Sequence, residues 1–187
     1  MYKRILLAGL ISAMFSFTSC KQDKPVEATN TEAALAPGMI RLNLLSYGIP
    51  ATIDIPDTTE RPHIIESLPS GDLHIQVQKW FNITVNVSGM DMDRKKKDIA
   101  GNDVDKFQSW VAQDSVSILY KTQMVNEEYH FYAIIKRDGK TFYAEDHYQS
   151  TDGVVTNFSE PQVQAMLNAA KTLTPAKPAA AAPAPKS

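Results

Sequence analysis

The chain has 187 residues, room for about one domain, and is 43% apolar and 21% charged, close to the soluble globular average. Its 19 basic and 21 acidic residues leave a formal net charge of −2, which argues against a dedicated nucleic-acid binder. Cys20 is the only cysteine, so an intrachain disulfide and any zinc site that needs two or more thiolates are excluded.

At the N-terminus, Lys3 and Arg4 precede an almost wholly apolar run, Ile5 to Phe17, too short for a comfortable transmembrane helix. It ends in Phe17-Thr18-Ser19-Cys20. Small residues just before a cysteine at the close of a signal peptide resemble a bacterial lipobox, although Phe17 stands where that family usually has Leu. An ordinary secretory signal with a chance cysteine, or a buried apolar helix, are the alternatives. The resemblance implies that residues 1–19 are a lipoprotein signal peptide and that Cys20 is lipidated after cleavage. It then implies a bilayer partner and a place in the bacterial cell envelope, on the outer membrane, periplasmic or surface-exposed. With about 0.8 kcal/mol per buried CH₂, two or three acyl chains anchor a protein stably. Loss of Lys3 and Arg4 from the 19 basic residues leaves 17 against 21 acidic, net −4, with no thiol in the folded part. Lys21-Gln22-Asp23-Lys24 loosely resembles the export signals of Bacteroidota surface lipoproteins, without their paired acids.

Residues 20–37 read as the lipidated cysteine and a polar, flexible tether. Residues 175–187, PAKPAAAAPAPKS, are Pro/Ala-rich and carry no apolar pattern, as expected of a disordered tail. Residues 38–174 remain as one globular domain.

Within it, Ala51–Ile55 is a short strand closed by Pro56. Leu73–Val77 and Phe81–Val87 alternate with period two, and the three residues between them suit a hairpin. Met92 and Ile99, then Val104, Phe107 and Val111 at i, i+3 and i+7, predict a helical middle with a break at Gly101-Asn102-Asp103. Asp91 and Asp93 suit a helix N-terminus, and Lys95-Lys96-Lys97 a solvated helix face. Val116–Tyr120 and Tyr129–Ile135 return to strand, the second apolar on both faces and therefore central. Asp138-Gly139 is a tight-turn pair leading into Thr141–Asp146. Ser159, Pro161 and Gln162 open a last helix whose apolar stripe is Val163, Met166, Leu167, Ala170 and Leu173.

The fold class is therefore α+β: a mostly antiparallel sheet packed by two or three helices. The layout resembles the PsbP-like fold, also used by lipoproteins of the DcrB type. The residues that carry the resemblance are Tyr47-Gly48-Ile49-Pro50 with Ile55-Pro56, the hairpin at Asp138-Gly139, and the helix Val163–Leu173. It implies an α/β/α sandwich, whereas the polar alternation of 73–87 predicts that part of one sheet face is bare. The fold itself does not specify a function.

No HExxH, GxSxG, SxxK or glycine-rich phosphate loop occurs, so no cofactor is expected and catalysis has no motif behind it. A turn centred on Asp138-Gly139 puts His130 opposite His147, with Glu145 and Asp146 beside them. These are weak metal candidates and the core of the alternative reading, an envelope hydrolase or metal-dependent enzyme. Two surface imidazoles at a sheet edge are the plainer account. The most suggestive surface is the polar face of the first hairpin: His74, Gln76 and Gln78 beside Asn82, Thr84 and Asn86, with Trp80 at the turn. Such a face suits a glycan, an extended peptide or another envelope protein. Tyr129, Phe131, Tyr132, Phe142, Tyr143 and Tyr148 form a second aromatic candidate. The function expected is that of a non-enzymatic binding or accessory module.

Overall fold

The computed structural model describes residues 34–147 and 157–176. The expected signal peptide (residues 1–19), Cys20, Tyr148 and most of residues 21–37 and 175–187 lie outside them. The fold is α+β and mostly antiparallel.

Strands β1 (Met39–Asn43) and β2 (Ala51–Pro56) form a hairpin across a 3₁₀ turn at Leu45–Tyr47, and the two-residue β10 (Thr174–Pro175) joins the other side of β2. Arg41 and Asp54, paired across β1 and β2, form a fork: Nε donates to Oδ1 at 2.7 Å and an Nη to Oδ2 at 3.1 Å.

The main sheet has seven strands: β3 (His63–Ser67), β4 (Leu73–Val77), β5 (Phe81–Asn86), β6 (Lys106–Gln113), β7 (Ser117–Gln123), β8 (Glu127–Arg137) and β9 (Lys140–Asp146). Their spatial order is β3-β4-β5-β9-β8-β7-β6, every neighbour antiparallel. Both predicted hairpins have the expected register. Val77 faces Phe81 across Gln78-Lys79-Trp80, and Arg137 faces Lys140 across Asp138-Gly139. Positive φ at both Asp138 (49°) and Gly139 (72°) twists that turn to match its strands. β8 lies inside the sheet, as its apolar residues on both faces require.

Helix α1 (Met92–Ala100) starts at Asp91, whose Oδ1 accepts the Arg94 N–H at 2.9 Å. Helix α2 (Glu160–Ala170) starts at Ser159, whose N–H donates to Gln162 Oε1 at 2.8 Å. The stripe Val163, Met166, Leu167, Ala170 and Leu173 is buried. It packs with Ile53, Ile55, Ile75, Phe81, Ile83, Phe131 and Phe142 in one core between the small sheet and one face of the large sheet. On the opposite face, Met92 and Ile99 of α1 close a smaller core with Ile118, Tyr132 and Ile134. Each face of the large sheet thus carries one helix.

Two expectations are corrected. The helical middle ends at Ala100, and residues 106–113 form β6 instead. Its pairing with β7 shifts register between Phe107 and Ser109 and again between Trp110 and Ala112. The first bulge adds a residue, so Phe107 and Trp110 reach the same face three apart, with ring centroids at 4.5 Å. That spacing imitates a helix. The second correction concerns the hairpin face expected to be bare. His74, Asn82 and Thr84 are buried (0%, 2% and 8% exposed), because β4 and β5 are interior strands and polar groups cover one another there. Gln78 belongs to the turn rather than to the face.

Candidate functional site

The second face of the large sheet, which carries α1, also carries the candidate polar residues, and it divides them into three places. At the hairpin end, Gln76, Gln78 and Trp80 line a depression of about 520 Å³ with Pro62, Ile64 and Lys79. Trp80 Nε1–H donates to Gln78 Oε1 at 2.8 Å, and Gln76 Nε2–H donates to the Gln78 carbonyl at 3.0 Å. Gln78 holds φ at +54°, a conformation that costs a side-chain-bearing residue on the order of 1 kcal/mol. Gln76 Oε1 is buried with no hydrogen-bond partner among the described residues.

In the middle of the face lies a closed cluster. His74 Nε2 hydrogen-bonds to Asn82 Oδ1 at 2.5 Å, and its Nδ1 is 3.4 Å from Glu66 Oε1. The His147 ring lies over His74 at 4.5 Å, and the His147 N–H donates to Asn82 O at 3.0 Å. Burial first, then the neighbouring His74, pushes the His147 imidazole below the ordinary histidine range.

Thr84 and Asn86 line the third place, a pocket of about 200 Å³ toward α1. Lys95 Nζ pairs with Glu145 Oε2 at 2.5 Å and sits 4.8 Å from the Tyr132 ring centroid. Asn86 donates to Asp72, and Tyr132 O–H donates to Met90 O at 2.6 Å. Burial, seconded by Glu145, raises the Tyr132 phenol to about 12. The lysine run is thus only partly a solvated face. Lys95 makes this pair, and Lys96 Nζ donates to Gln113 Oε1 at 3.0 Å across β6.

His130 and His147 do not come together, although the register puts them opposite. β9 ends at Asp146, and the two rings join separate clusters. Nδ1 of His130 donates to Asp146 Oδ2 at 2.8 Å, and Nε2 hydrogen-bonds to Thr122 Oγ1 at 3.1 Å. Glu128 Oε2 and Asp105 Oδ2 lie 3.7 and 3.8 Å from Nε2, and the Tyr120 ring lies 5.3 Å away. Burial works against a charge on His130, but the Asp146 bond and the nearby carboxylates outweigh it and raise its affinity for a proton. Burial also raises the Glu128 carboxyl, and the Tyr120 phenol well above its ordinary range. Thr122 is buried, 1% exposed, so the Asp146–His130–Thr122 array offers no hydroxyl to a substrate. Among the described residues no group of three His, Cys, Asp or Glu is placed to hold a metal ion.

No spacing in the sequence joins Glu128, Asp105, Thr122 and Tyr120 to His130, since only pairing across β6, β7 and β8 assembles them. The aromatic candidates also separate: Phe131 and Phe142 enter the α2 core, while Tyr132 and Tyr143 lie on the α1 side. No family model, no curated protein and no solved structure matches the chain.

Proposed function

We propose that the chain is a lipid-anchored protein of the bacterial envelope, acting as a non-enzymatic binding module that meets its partner with the Trp80 end of the second sheet face. The observation that carries this reading is the Trp80 depression. A half-buried indole, an isoleucine and a proline form its apolar wall, while Gln76, Gln78 and Lys79 supply polar groups. Aromatic anchors within a polar rim are the usual make-up of a recognition surface. The left-handed Gln78, which positions Trp80 through its side chain, adds local strain of the kind that collects at binding sites. The lipobox-like Phe17–Cys20 segment supports the anchor. One helix on each face of an antiparallel sheet supports a PsbP-like arrangement within this reading.

The test is a photo-crosslinking amino acid at position 80 of the full chain in living cells, with position 138 as control. Asp138 lies at the far end of β9 from the Trp80 hairpin. Discrete adducts from position 80 and none from position 138 are expected. Equal or absent crosslinking at both removes the Trp80 end as the recognition site.

A further inference from the structure

We propose that the outer edge of β3 takes up an extended segment of a partner protein as an additional strand, one apolar side chain of that segment entering the Trp80 depression. This rests on the binding reading above and gives the partner its chemistry.

The hydrogen-bond phase of β3 carries the argument. Gln78 N–H donates to Pro62 O at 2.7 Å and Leu68 N–H to Asp72 O at 2.8 Å, one at each end of the β3–β4 pair. Bonded and non-bonded pairs alternate along an antiparallel ladder. With Ile65 opposite Ile75, the bonded pairs are therefore Ile64 with Gln76 and Glu66 with His74. The N–H and C=O groups of His63, Ile65 and Ser67 point away from β4, and β3 ends the sheet with no described strand beyond it.

The two edges of the sheet differ. β6 carries two bulges, which break up the regular spacing a foreign strand would need. β3 has an unbroken register and neither Lys nor Pro between His63 and Ser67. Its outward groups repeat at about 7 Å, two residues of an extended chain, a spacing that another polypeptide backbone matches and a glycan does not.

The side chains say which polypeptide fits. Ile64 lies opposite Gln76 and lines the depression with Pro62 and Trp80. A strand beside β3 sends alternate side chains to this face, where an apolar one meets all three. A second copy fits poorly. Antiparallel self-pairing centred on Ile65 would set Ile64 against Glu66, an apolar group against a carboxylate.

The experiment selects binders to the full chain from a displayed library of random short peptides, then measures amide hydrogen exchange residue by residue with a selected peptide bound. Exchange at Ile65 and Ser67 should slow by about tenfold or more, while Ile64 and Glu66, already in the ladder, change little. Ser67→Pro removes one outward donor at a position where an edge strand accepts proline, and should weaken peptide binding roughly tenfold with the exchange pattern of the core kept. No selected binder, unprotected Ile65 and Ser67 amides, or a neutral Ser67→Pro variant overturns the proposal. So does protection that grows with protein concentration alone, which would mean a second copy. Peptides that lose affinity in Trp80→Ala but leave those amides unprotected sink strand pairing and spare the binding reading. Peptides indifferent to both substitutions sink the two together.

Discussion

His130 Nδ1 donates a 2.8 Å hydrogen bond to Asp146 Oδ2, and the other oxygen of that carboxylate accepts the Phe131 N–H at 2.7 Å. One buried side chain thus ties the last residue of β9 to two consecutive residues of β8. Glu128, Asp105, Thr122 and Tyr120 face the same imidazole from β8, from the loop before β6 and from β7. The arrangement favours a charged His130. A base whose proton affinity rises on folding gives its full stabilisation below the unfolded value, about 6.5, and loses it as pH climbs through the folded value. Glu128, raised mainly by burial, acts in the same sense at lower pH. His147, lowered mainly by burial, acts in the opposite sense, losing its contribution as pH falls. The difference between wild type and variant therefore isolates the pair better than either profile alone. Asp146→Asn should cost about 3 kcal/mol near pH 6, as for a broken buried ion pair, and the cost should shrink toward pH 9. Urea unfolding across that range measures it. A cost independent of pH would mean that His130 does not change its charge across that range.

Gly89 approaches the ring of Tyr143 so closely that a Cβ at this position would lie 2.5 Å from two ring carbons and 3.0 Å from the Tyr132 hydroxyl. Glycine is required here by contact rather than by a positive φ. Gly89→Ala should destabilise by about 1–3 kcal/mol through overpacking and displace Tyr143 from the wall of the small pocket. Thermal unfolding and the near-ultraviolet tyrosine signal report both effects. An unchanged midpoint would show that the ring moves aside freely.

Gln78 sets stability against recognition. Gln78→Gly removes the cost of the left-handed backbone, on the order of 1 kcal/mol, and also removes the acceptor that holds the Trp80 indole. The variant should be as stable as wild type or slightly more so, yet give weaker crosslinking from position 80. A loss of stability with undiminished crosslinking would mean that the residue serves the fold alone.

Much of this architecture is legible in the sequence, for identifiable reasons. The hairpins at 78–80 and 138–139 follow from strict alternation and from an Asp-Gly pair. The α2 stripe follows from 3.6-residue spacing behind a proline and a capping glutamine. β1 and β3 carry no comparable signal. Met39–Asn43 and His63–Ser67 are short, half-buried strands whose partners alone define them. β6 misleads because the helix-like set Val104, Phe107 and Val111 joins one inward residue to two exposed valines, Val104 ahead of the strand and Val111 at its second bulge. The candidate face was legible as a set of polar residues but not as an arrangement. Alternation reveals which side chains share a face; it does not reveal that His74 and Asn82 satisfy each other under His147 while Trp80 and Gln76 line a separate depression. The His130 cluster draws on four segments from residues 105 to 146, and no local pattern announces it.

The proposed function has a binding domain held at a membrane by Cys20. The most direct measurement is the intact mass, with tandem fragmentation, of the N-terminal peptide of the protein isolated from its native membranes. A chain that begins at Cys20, with diacylglycerol in thioether linkage, is expected. A peptide that begins at Met1 with a free Cys20 thiol would contradict it.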